Sequence, residues 1–181
     1  MVALSLPLSG LTLVETDTNY SEFFSDDTEL SQAYGKLAAA GFAQNPINVG
    51  LRYPAGTDYT AAPYFNAVRR FEEAVAELPD VIKVLSANAL LAEIDKAFNG
   101  PTDTDRLSDY SPEAISQLLF LAELSGNDDM QDLLTRDRRT QQLLVLTAYM
   151  SSKELDRFER DVIALAERHL PPDMHTYLTG T

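Results

Sequence analysis

The sequence predicts an α+β protein of two related lobes, each a strand–helix–strand unit, joined by a helical linker. Three observations carry that expectation. Apolar and polar residues alternate strictly over Ile47–Tyr53, the apolar spacing then becomes helical over Tyr64–Leu78, and a short β-branched run follows at Asp80–Ser86. The same succession recurs over Thr140–Leu178. Between the two, the polar, Asp-rich run Thr102–Asp109 is the clearest break, so the lobes are expected at residues 1–100 and 101–181.

Taken in order, Leu11–Thr18 alternates as a strand does and ends in acidic and polar residues. Asp26-Asp27-Thr28 offers caps for a helix in which Leu30, Ala33, Tyr34, Leu37 and Ala38 share a face, and Gly41 ends it. The strand beginning at Ile47 stops at Pro54, which opens a turn. Tyr64, Phe65, Val68, Phe71, Glu72, Val75 and Leu78 then mark a long amphipathic helix stopped near Pro79. A strand–helix–strand unit of this kind makes its two strands parallel, with a right-handed crossover.

Leu90–Phe98 reads as a further helix ending at Asn99-Gly100-Pro101. Ser111-Pro112-Glu113 starts another: serine caps, proline suits the first helical position, and glutamate opposes the dipole. That helix carries Ile115, Leu118, Leu119, Leu121 and Ala122 before Ser125-Gly126, and a short helix is expected over Asp128–Leu134. Thr140–Met150 is a strand. Ser151 and Glu154 form a capping box that opens a helix through Leu155, Phe158, Val162, Ile163, Leu165 and Ala166. Pro171-Pro172 ends it, and Met174–Leu178 is the last strand.

The 181 residues carry a net charge of −14, with 45% hydrophobic residues and no cysteine. So acidic a chain repels phosphate backbones, and no nucleic-acid partner is expected. Without cysteine there are no disulfides, thiol chemistry or cysteine zinc sites. The apolar runs Leu118–Leu124 and Leu143–Met150 fall far short of the roughly 20 residues that cross a bilayer. Met1–Leu8 lacks the basic start of a secretory signal, so either a cytosolic protein or a piece of a longer one is expected.

Catalytic groups are sparse. His169 falls at a helix C-terminus, where a cation favours the dipole, and His175 lies in a strand without a motif around it. Thr102-Asp103-Thr104-Asp105 and Asn127-Asp128-Asp129 do not match a calcium loop. Arg136, Arg138 and Arg139 read as a turn before a strand. Phosphate-loop, dinucleotide, nucleophile-elbow and zinc-protease motifs do not occur, and no catalytic residue, metal or cofactor is expected. Apolar residues are in excess instead, since Leu118–Leu121 is apolar all round one helical turn. Core packing is the ordinary reading; an apolar ligand cleft formed by Tyr64, Phe65, Leu119, Phe120 and Met150 is the functional one.

Several segments together resemble a known family. They are Glu15–Tyr20 with Phe23-Phe24 and Asp26-Asp27, Ala33-Tyr34, Leu78–Ser86, Ser111–Gly126, Ser151–Leu155 and Tyr177–Gly180. In order and spacing they resemble the first extracytoplasmic loop of bacterial lipid exporters of the resistance–nodulation–division superfamily, of the type related to the mycobacterial large membrane proteins. The resemblance covers the chain from about Leu11 to Gly180. It implies porter-type, ferredoxin-like lobes on the periplasmic side of the inner membrane, capturing and moving a hydrophobic lipid, with a sterol or hopanoid preferred. It implies as partners that lipid, the second periplasmic loop and membrane helices of the same transporter, and periplasmic carrier proteins. The residues that couple proton flow to export lie in the membrane helices of such proteins, so none falls in this segment. The alternative is a protein-interaction module that docks a periplasmic partner and binds no lipid.

Overall fold

The computed structural model describes residue 36 and residues 45–100, 111–124 and 129–179. The elements expected before Asn45, the run Thr102–Asp109 and the Ser125–Asp128 turn lie outside these residues, apart from Lys36, which is helical. The order is β1 (Asn45–Arg52), α1 (Ala62–Ala76), β2 (Val81–Leu85), α2 (Ala87–Asn99), α3 (Pro112–Leu124), α4 (Asp129–Leu133), β3 (Thr140–Thr147), α5 (Ser152–His169) and β4 (His175–Thr179).

The chain is α+β, and the four strands among the described residues form one sheet in the order β2-β3-β1-β4. Every neighbouring pair is antiparallel, which leaves β1 and β2 parallel to each other but separated by β3. Here the expected architecture needs correction. The two strand–helix–strand units do not form two lobes; they interleave, each giving one central and one edge strand to a single ferredoxin-like sheet. Hydrogen bonding explains it, because β1 has two sides and satisfies both only by pairing β3 from Thr140 to Thr147 and β4 from His175 to Thr179. The three helices α2–α4 are an insertion between β2 and β3.

Side-chain alternation decides which face each residue occupies. Ile47, Val49 and Leu51 of β1 are buried, as are Gln141, Leu143, Val145 and Thr147 of β3, and register places the two sets on the same face. On the other face Arg52, Lys83 and Tyr177 are exposed and Asn48, Gln142, Leu144 and Leu146 are half-buried. There the Tyr177 ring lies over Gly50, where a Cβ would collide with it.

Helices α1 and α5 pack side by side, α1 against β2 and α5 against β4. Phe65, Val68, Phe71 and Val75 of α1 are buried, with Phe158, Val162 and Ala166 of α5. Insertion residues Ala87, Leu91, Ile115, Leu118, Leu119, Ala122 and Met130 belong to the same core. The arginine turn ahead of β3 is held by main-chain bonds: Tyr53 and Tyr59 donate their N–H to the carbonyls of Arg139 and Arg138, each at 2.9 Å. Arg138 has a φ of 57° and reaches Glu123 of α3 at 3.7 Å.

Candidate functional site

The least expected chemistry lies under α1, where polar side chains converge inside an apolar core. Tyr53 follows β1, Tyr59 sits in the loop before α1, Glu72 projects from the middle of α1, and Ser86 and Asn88 stand at the start of α2. All five are buried, Glu72 being 9% exposed and Tyr59 fully enclosed. The Tyr59 hydroxyl donates to Asn88 Oδ1, and Asn88 Nδ2 donates to Glu72 Oε2 at 3.1 Å. Ser86 Oγ accepts the Ala89 N–H at 3.1 Å, capping α2. The rings that seal the cluster are ordered too: Tyr59 stands edge-on to Phe65 at 5.4 Å, and Tyr53 to Tyr64 at 6.1 Å.

Burial pushes the Glu72 carboxyl up to about 8, against the favourable bonds from Asn88 and Ser86. Glu73 next to it adds to the rise, and Arg69, a turn back along α1, opposes it. Arg69 is engaged by Glu73 at 2.7 Å. The Tyr53 and Tyr59 hydroxyls are raised well above the ordinary phenol value, first by burial, then at Tyr53 by Glu72 and Asp58 and at Tyr59 by Tyr53 and Glu72. At neutral pH the cluster is therefore uncharged, a protonated acid among phenols and an amide. Glu72 Oε1, Tyr53 Oη and both amide atoms of Gln141 are buried without a hydrogen-bond partner. Register places Gln141 opposite Leu51, two residues before Tyr53, so Gln141 and Tyr53 share one face of the sheet.

The five residues of the expected apolar cleft divide between core and surface. Phe65, Leu119 and Met150 are buried core residues. Tyr64 is half-buried, and its hydroxyl donates to Asp173 Oδ2 at 2.8 Å, tying α1 to the turn before β4. Phe120 points to solvent at 57% exposure, and Leu124, one turn on, is 66% exposed. A surface groove of about 560 Å³ lies elsewhere, between α1 and α5, lined by Arg70, Glu73, Glu77, Leu165, Arg168 and His169 among others. Its charges of both signs face water.

Among the described residues no group of three or more His, Asp or Glu is placed to hold a metal ion. Among them, no helix is long and apolar enough to cross a membrane. The chain matches no family model and no curated protein in sequence.

Proposed function

We propose that this chain is the first extracytoplasmic domain of a lipid exporter of the resistance–nodulation–division type, lying on the periplasmic side of a bacterial inner membrane. In this reading it is not an enzyme: it captures a hydrophobic lipid, a sterol or hopanoid by preference, and hands it on to the rest of the transporter. The reading rests on the ordered resemblance from about Leu11 to Gly180, and the ferredoxin-like strand order is compatible with a porter-type domain.

The single observation that supports lipid capture best is the outer face of α3. Phe120 and Leu124 are helical neighbours at i and i+4, both mostly in water, and Phe98 of the packed helix α2 is 68% exposed. Covering a large apolar side chain yields roughly 1.5–3 kcal/mol, so a lipid lying across such residues gains affinity without polar contacts. Capture would use this helical surface rather than a cleft between lobes, because both strand–helix–strand units share one sheet.

A second reading, docking of a periplasmic protein, has its own support in β4. That strand pairs only with β1, so its outer edge has free backbone groups among the described residues. A binding panel separates the two. The 181-residue chain is titrated with fluorescent sterol, hopanoid and phospholipid analogues, beside Phe120→Asp and Leu124→Asp variants. Saturable binding of the polycyclic lipids, weakened at least tenfold in both variants, is the expected result; no saturable binding across the panel contradicts lipid capture.

A further inference from the structure

The buried cluster joins parts of the molecule that apolar packing alone would leave independent. Glu72 belongs to α1, which lies on the ferredoxin-like sheet, whereas Ser86 and Asn88 open the helical insertion. Ser86 Oγ caps α2 through the Ala89 N–H. Asn88, in the first turn of α2, has two duties, accepting from Tyr59 and donating to Glu72. Anything that changes the carboxyl of Glu72 therefore acts on the first turn of α2.

We propose that the Glu72 carboxyl is a protonation-dependent latch: protonated, it fastens the start of α2 to α1, and opening of α2 is coupled to loss of that proton. The geometry carries the proposal, because the carboxyl is enclosed, accepts the Asn88 amide from the first turn of α2, and leaves Oε1 without a partner. A neutral acid is accommodated there at lower cost than a charge. Among the described residues the charged and titratable groups around it are few. α1 contributes Arg69, already bonded to Glu73, and Glu73 itself; the end of β1 and the following loop contribute Tyr53, Tyr59 and Asp58. From α2 come the uncharged Ser86 and Asn88, with Asp95 buried two turns further on.

The sign follows from linkage. The carboxyl is raised to about 8 when enclosed, against 4.5 ordinarily. An opened α2 returns Glu72 to water, where it ionises. The latch is thus tightest below about pH 4.5, and opening becomes roughly tenfold easier per pH unit up to about pH 8, then levels off.

Hydrogen exchange of the full chain between pH 5.5 and 8.5, corrected for intrinsic exchange, tests this in the wild type and in Glu72→Gln. The expected result is an opening constant for α2 amides that rises roughly tenfold per pH unit to about pH 8, and exceeds that of β1 amides at pH 7.5 at least tenfold. Glu72→Gln should flatten the rise. A flat wild-type profile, a slope that survives in Glu72→Gln, or α2 and β1 opening with the same constant would each overturn the latch. Should Glu72→Gln not fold, carboxyl carbon NMR of the wild type decides: a Glu72 midpoint near 8 supports the latch, and one below 5 in the folded protein overturns it.

Discussion

Helices α1 and α5 lie side by side on one sheet yet are specified by different means. In α5 the sequence near each end does the work: Ser151 and Glu154 form a complete capping box, and Arg168 and His169 sit in the last turn where the dipole favours cations. Glu154 is held below the usual carboxylate range by the bonds from Ser151. Helix α1 has none of this. Ala61 at its N-cap offers no side-chain bond, its first turn has no acid and its last turn no base. It is held by what it buries: Phe65, Ala67, Val68, Phe71, Val75 and the carboxyl of Glu72. A locally specified helix tolerates a narrow buried stripe, whereas one without caps depends on its tertiary contacts.

The largest expected effect comes from breaking those contacts. Phe71→Ala, at a fully buried position, should cost about 3–5 kcal/mol by urea denaturation, enough to threaten folding. Next comes the pH dependence of Glu72. Because its folded value lies near 8 and its ordinary value at 4.5, the stabilisation is complete below pH 4.5 and is lost as pH rises to about 8, at about 1.4 kcal/mol per unit. Glu72→Gln should remove that slope, so its advantage over the wild type grows from pH 5 to pH 8. Smaller again, Ser151→Ala should cost about 1 kcal/mol, seen as a fall in Tm, because α5 loses its cap. Ala61→Ser supplies the cap that α1 lacks, at an extended position of φ −70° and ψ 111°, and should stabilise by about 0.5–1 kcal/mol. If Ser151→Ala proved harmless while Ala61→Ser destabilised, the contrast between the helices would fail.

The same contrast explains what was legible in the sequence. The capping box at Ser151, the alternation of Ile47, Val49 and Leu51, and the Ser111-Pro112 start are local signals, and β1, α3 and α5 appear where they indicate. The interleaving of the strands was not legible, because it depends on β1 finding β3 about ninety residues away, and periodicity is silent about partners. Glu72 was visible on the buried side of the α1 pattern beside Phe71. Its meaning was hidden because Tyr59 carries no signal in the stretch after Pro54, Ser86 reads as the end of a strand, and Asn88 falls between that strand and the helix expected from Leu90. The apolar turn Leu118–Leu121 announced itself, and the structure divides it into buried Leu118 and Leu119 and exposed Phe120.

Photo-crosslinking locates the proposed capture of a polycyclic lipid on the helical insertion. The chain is irradiated with a photoactivatable sterol, and the adducts are mapped by mass spectrometry with and without excess unlabelled sterol. Adducts on α3 around Phe120 and Leu124, displaced by the competitor, are expected. Adducts that the competitor does not displace, or that fall only on the sheet away from α3, would contradict it.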